Sequence, residues 1–134
     1  MQWSIDIWSD SDVEGPAIEP YGNLTIDIGF RAKYQYFLLW RVERDDHLIV
    51  PLRTSKIFSS SLIFQESKGF QRDGRVKLHG RVMEYNGSVG DTITGDYEGE
   101  IYTAEMLLNG VSVTYDRVTQ DGSRATISMT LTPL

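Results

Sequence analysis

The sequence predicts an all-β single domain over residues 1–134, a closed antiparallel barrel of eight or nine strands, with a two-layer sandwich or jelly roll as the alternative. Three observations lead there. Apolar residues recur at every second position in one segment after another. Turn-forming pairs punctuate the chain at short intervals, among them Asn86-Gly87, Asn109-Gly110 and Asp121-Gly122. No segment carries an eleven-residue helical repeat, and no repeat of fixed length is present.

Taken in order, Trp3, Ile5 and Ile7 alternate with Gln2, Ser4 and Asp6, the pattern of a half-buried opening strand from which Trp8 departs. Residues 9–16, followed by Pro20 and Gly22, read as a loop. Leu24, Ile26, Ile28 and Phe30 then form the clearest strand of the first half, with one wet face. In the next segment Tyr34, Tyr36, Leu38, Trp40 and Val42 hold the even positions while Phe37 and Leu39 make the other face apolar, so this strand is expected to be covered on both sides. A three-residue turn, Asp45-Asp46-His47, is expected to pair Val42 with Val50 and Trp40 with Leu52. Pro51 lacks an amide donor and argues for an edge or bulge. Thr54 to Ser61 reads as a loop or one helical turn, and Leu62, Ile63 and Phe64 as the start of a short strand. Val76, Leu78, Gly80 and Val82 alternate against Lys77, His79 and Arg81 until the pattern slips at Met83, which predicts a bulge or strand end.

The stretch from Gly95 to Leu131 carries the strongest register signals and reads as three antiparallel strands. Asn109-Gly110 suits a two-residue hairpin turn, since both positions must take positive φ. That pairs Leu108 with Val111 and Met106 with Val113. A three-residue loop, Gln120-Asp121-Gly122, pairs Val113 with Met129 and Tyr115 with Ile127, so Met106, Val113 and Met129 would lie in one row.

Composition bounds the function. There is no cysteine, hence no disulfide framework, thiolate metal site or cysteine nucleophile. Thirteen basic against nineteen acidic residues leave a net charge of −6, which disfavours nucleic acid as a partner despite the basic cluster Lys68, Arg72, Arg75, Lys77 and Arg81. No apolar run approaches a membrane span and the start lacks the pattern of a secretory signal, so the expected location is cytoplasmic. A mature secreted form is the alternative, and Asn23-Leu24-Thr25 and Asn86-Gly87-Ser88 both match the glycosylation pattern.

Few motifs carry chemistry. Asp10, Asp12 and Glu14 before Gly15 have the spacing of half a calcium loop, but Tyr21 stands where the bidentate glutamate is needed, and a solvated acidic loop is the plainer reading. No metal site or cofactor is expected. His47 and His79 are far apart in sequence and read as solvated; the alternative for His79 is a base, if folding brings it beside a carboxylate. No phosphate loop, nucleophile elbow or dinucleotide fingerprint is present. Glu98, Glu100 and Glu105 read as a solvated face.

The aromatic residues form the candidate site. Phe30, Tyr34, Tyr36 and Trp40 share even positions on neighbouring strands, and Tyr102, Met106, Tyr115 and Met129 share a face of the C-terminal segment. Pointed inward, they would line a pocket for a flexible apolar ligand, with Tyr115, Tyr102 and Arg117 as the catalytic candidates and Arg117 at the mouth to hold a carboxylate or enolate. An ordinary β core uses the same residues and is the competing account.

Ile93-Thr94-Gly95-Asp96-Tyr97-Glu98-Gly99 resembles the glycine-rich turn of the allene oxide cyclase and dirigent group, with a strand like Val76 to Val82 before it and a closing hairpin after it. This chain has one glycine where that group has two or three, and the matched turn contains none of the group's catalytic residues. The resemblance implies an eight-stranded calycin-like barrel, often a homo-oligomer, whose lumen folds a reactive apolar intermediate. The expected function is therefore binding of a small hydrophobic molecule, with cofactor-free cyclase or isomerase activity. The alternative is a non-enzymatic protein-interaction module such as a viral structural, immunity or inhibitor protein, which a filled core and a flat apolar surface patch would favour.

Overall fold

A computed structural model of the chain describes residues 1–9, 17–30, 33–63, 74–85, 91–116 and 124–132. Strands β1 (Gln2–Trp8), β2 (Ala17–Ile18), β3 (Pro20–Phe30) and β4 (Lys33–Val42) are followed by a 3₁₀ turn (Arg44–Asp46), β5 (Val50–Pro51) and β6 (Ser55–Ser61). Strands β7 (Gly74–Glu84) and β8 (Thr92–Thr103), helix α1 (Ala104–Leu108), β9 (Val111–Asp116) and β10 (Arg124–Thr130) complete the order. They build a large antiparallel sheet, β4-β3-β7-β8, a small one, β6-β1-β10-β9, and the two-stranded pair β2-β5.

The protein is all-β, and among the described residues no sheet closes on itself. The barrel expectation is thus corrected: two four-stranded sheets share one core in a sandwich-like arrangement. Alternation explains why. Ile5 and Ile7 of β1 and Ala125, Ile127 and Met129 of β10 bury one face of the small sheet. Leu24, Ile26, Ile28, Val76, Leu78 and Val82 bury one face of the large sheet, and both sets fall in the same cluster. Fully burying each large aliphatic side chain contributes about 1.5–3 kcal/mol. The Tyr97 hydroxyl, 1 % exposed at the residue level, donates to the Ala125 carbonyl at 2.9 Å and joins the two layers.

Strands β1, β3 and β7 follow the expected alternation, and the slip at Met83 is a register shift between Val82 and Met83 against β8. Other expectations fail. The Asn109-Gly110 hairpin does not form; Ala104–Leu108 is helical instead. Thr103 Oγ1 accepts from the Met106 amide at 3.2 Å as N-cap, and Gly110 takes φ 81° just past the C-cap Asn109. Asn-Gly tolerates positive φ equally in a hairpin and behind a helix, and here the run Ala-Glu-Met-Leu-Leu, all good helix formers, decides. Strand β9 then pairs with β10 and not with β8, so Met106 leaves the predicted row and is exposed. The β9–β10 register sets Val113 against Ile127 and Val111 against Met129, two residues from the expected pairing. A two-residue offset preserves the faces.

Strand β4 pairs with β3, Leu24 lying opposite Trp40, while Val50 pairs with Ile18. The expected pairings Val42 with Val50 and Trp40 with Leu52 are therefore replaced. The segment Ser55–Ser61 is a strand at the edge of the small sheet, not a loop or helical turn. Pairing with β1 overrides serine's weak preference for strands.

Candidate interaction surface

One irregularity in β4 creates the surface. Leu24 pairs with Trp40 but Thr25 pairs with Leu38, so Leu39 is an extra residue and the inward face switches there. Trp40 points into the core, 5 % exposed, whereas Tyr36 is 66 % and Leu38 52 % exposed. Phe37, opposite Ile26, takes the inward position and packs against the core. Without the bulge, Tyr36 and Trp40 would share a face, as the sequence suggests.

The ladders extend these residues into rows across the outer face of the large sheet. Tyr36 stands opposite Asp27, then Lys77, then the exposed Ile101; Leu38 stands opposite Thr25, then His79, then Glu98. The Lys77 ammonium lies 4.8 Å from the centre of the Tyr34 ring, and side-chain-free Gly29, opposite Tyr34, leaves that path open. His79 Nε2 is 3.3 Å from Asp27 Oδ2, close enough to pair when protonated but misaligned for a hydrogen bond. A carboxylate thus lies beside His79, whose side chain is 41 % exposed while its Nε2 is shielded.

Strand β4 is also a sheet edge. From Tyr34 to Trp40 it runs seven residues without charge, proline or glycine, the composition of a segment that pairs readily with another strand. Among the described residues no strand covers that edge.

A second cluster closes one end of the molecule. Asp91 accepts from the Tyr21 hydroxyl and, at 2.7 Å, from Arg44 Nε. The Arg44 guanidinium carbon lies 4.6 Å from the centre of the Tyr85 ring, on which His47 stacks at 4.4 Å, and His47 Nε2 is 3.6 Å from Glu19. Burial, then the hydrogen bond to Asp91 and its negative charge, push the Tyr21 hydroxyl up from its ordinary value. Each group has a partner within the cluster, which therefore clasps the 3₁₀ turn onto the large sheet.

The residues selected from sequence do not converge. Trp40, Tyr102 and Met129 belong to the core; Tyr34 and Tyr36 face outward; Met106 lies on α1, 46 % exposed. Burial first, then the nearby Glu100 charge, push the Tyr102 hydroxyl up, away from proton transfer near neutral pH. Phe30 ends β3 and Tyr115 sits in β9, their side chains outside the described ones, and Arg117 lies outside the described residues, as do Asp10, Asp12 and Glu14. Among the described residues no group of three or more histidine or acidic side chains could hold a metal ion, and no helix is long and apolar enough to cross a membrane. The outward turn of Tyr36 and Leu38 is not legible in the sequence because a bulge leaves no mark in an apolar run; the uncharged stretch Tyr34–Trp40 is the available signal.

Architecture and surface together define an all-β, sandwich-like domain with an apolar edge that no strand among the described residues covers. Over 99 % of its length the chain is similar in fold to a chain of the Cry23Aa1–Cry37Aa1 binary protein complex, with a TM-score of 0.56, 22 % identity and 98 % of that chain covered. No protein-family description and no curated protein matches the sequence.

Proposed function

We propose that the protein is a non-enzymatic interaction module that docks a partner protein on the β4 edge and the outer face beside it. The observation that carries this reading is the uncharged run Tyr34–Trp40, with Tyr34, Tyr36 and Leu38 exposed, on a sheet edge that no strand among the described residues covers. An extended partner segment adds to such an edge through main-chain hydrogen bonds, while Tyr34, Tyr36 and Leu38 supply side-chain contacts and Lys77, Asp27 and His79 a polar rim. Ten strand residues span about 33 Å, enough for a partner strand of ordinary length. The fold neighbour's membership of a binary protein complex supports a two-protein assembly for this chain as well. Binding of a small apolar molecule, the other reading of the sequence, has less support, because its proposed lining is divided between the core and two outer surfaces.

The test places a photo-crosslinking amino acid at position 38 and, as control, at position 114 on the small sheet. One discrete adduct from position 38 is expected, and its isolated partner should bind the unmodified chain. Tyr36→Asp with Leu38→Asp should weaken that binding at least about tenfold, or 1.4 kcal/mol, with the melting temperature unchanged. Equal crosslinking from position 114, or an affinity that ignores both substitutions, would overturn the proposal.

A further inference from the structure

Beside the β4 edge, the charges on the outer face of the large sheet do not pair off evenly. Strand β7 presents Arg75, Lys77, His79 and Arg81 there at every second position. Asp27, directly opposite Lys77 in the ladder, lies 3.3 Å from His79 instead. Arg81 has Asp96 at 3.5 Å and Glu98 at 3.9 Å, and Arg41 pairs with Glu43. Arg75 and Lys77 are left over, since neither forms an ion pair among the described residues. The Lys77 ammonium reaches across β3 to the edge strand, 4.8 Å from the centre of the Tyr34 ring. Arg75 gives one N–H to the Gly74 carbonyl at 2.9 Å, and only side-chain-free Gly29 stands between it and Tyr34 in the ladder.

We propose that the segment docking on β4 is an extended strand with an acidic residue set against Tyr34, followed on the same face by apolar residues against Tyr36 and Leu38. This rests on the edge reading above and supplies the chemistry of its partner.

Geometry fixes where the acid belongs. A strand added to β4 lies about 4.8 Å from it, and a side chain directly opposite Tyr34 has its Cβ about 4.5–5.5 Å from the tyrosine Cβ. A carboxylate at that position comes over the Tyr34 ring, where the Lys77 ammonium already lies. Covering the ring strips water from the ammonium, a loss that a carboxylate offsets and a basic or apolar residue does not. The apolar positions follow from alternation, because Tyr36 and Leu38, exposed beside the same edge, come next on that face.

The acid must come from another segment. Residues Lys33 to Val42 contain two cations and no acidic residue, so a second copy of β4 brings no counter-charge. The net charge of −6 on the whole chain does not oppose the choice, because salt screens exposed charges beyond about 8–10 Å and the two unpaired cations act at contact.

Panning the full chain against phage-displayed random segments of about ten residues, the length of a long strand, tests the proposal. Bound segments are expected to carry aspartate or glutamate beside an alternating apolar pair, in either chain direction, and to lose binding to the Tyr36→Asp, Leu38→Asp chain. As synthetic peptides they should bind the Arg75→Gln, Lys77→Gln chain at least about tenfold more weakly. Arg75→Lys with Lys77→Arg, which keeps both charges, should restore the affinity, with the melting temperature unchanged throughout. Replacing the peptide's acid by its amide should cost as much, and the two losses should not add, because both delete the same pair. Edge-dependent segments without an acid, or an affinity indifferent to Arg75 and Lys77, would overturn the acidic partner and leave the edge reading standing. Equal binding by a peptide of residues 33–42 would also overturn it, by assigning the edge to a second copy of the chain. Segments that ignore Tyr36→Asp and Leu38→Asp, or no enrichment at all, would overturn both readings.

Discussion

Gly22 and Gly80 face each other's strands reciprocally: a Cβ on Gly22 would lie 2.0 Å from the Arg81 carbonyl oxygen, and one on Gly80 2.1 Å from the Asn23 carbonyl oxygen. Between them Asn23 pairs with Arg81. Both glycines take positive φ, 137° and 130°, where other residues are strained. Strands β3 and β7, the centre of the large sheet, approach closely at this pair. Gly22→Ala and Gly80→Ala are each expected to cost more than about 3 kcal/mol in urea unfolding, because the obstruction is backbone. Gly110→Asn, at a helix C′ position, should cost less than about 1 kcal/mol.

The two layers are joined by the Tyr97 hydroxyl on the Ala125 carbonyl. Tyr97→Phe keeps the ring and deletes the donor, so a loss of about 1–2 kcal/mol is expected. A change below a few tenths, measured by chemical unfolding, would show that the contact between layers is apolar alone.

Alkaline pH should loosen the clasp at the end of the molecule. Tyr21 and Tyr102 both have hydroxyls pushed above the ordinary 10.0. Below that pH both phenols are neutral in either state and their contribution is whole. As pH rises past 10, the unfolded phenols ionise first and stability falls, until the folded phenols ionise too. Tyr21→Phe should therefore flatten the decline in unfolding free energy between about pH 9 and pH 11. An unaltered slope would place the effect elsewhere.

The β4 edge should make the isolated protein prone to self-pairing. Leu38→Lys puts a charge on an exposed edge position, the device by which native sheets prevent edge pairing. It is expected to slow aggregation of the purified chain severalfold while changing folding stability by no more than about 0.5 kcal/mol. Light scattering and a thermal melt read the two effects separately.

Helix α1 depends on the capping residue that precedes it. Thr103→Ala removes the hydroxyl that accepts from the Met106 amide, for an expected loss of about 1 kcal/mol. Thr103→Ser should recover most of it.

The amino-acid sequence by itself determined the all-β class, the inward faces of β1, β3 and β7, and the slip at Met83. Each is a period-two property of a few adjacent residues, set by the alternation of side chains along any strand. The Thr103 cap before Ala-Glu-Met-Leu-Leu was equally local, yet the hairpin sense of Asn109-Gly110 competed with it. Tertiary structure decided between them, by burying Leu107 fully and tying its carbonyl to the Leu131 amide at 2.9 Å. It also decided the bulge at Leu39, which turns Tyr36 outward while Trp40 points in, and the partners of β4, β5 and β9. Strand pairing joins residues far apart in the chain, and an apolar run with two similar faces does not specify which one the core will take. The rows of serine across β6, β1 and β10 arise in the same way, since Ser59, Ser4 and Ser128 become neighbours only once the sheet has formed.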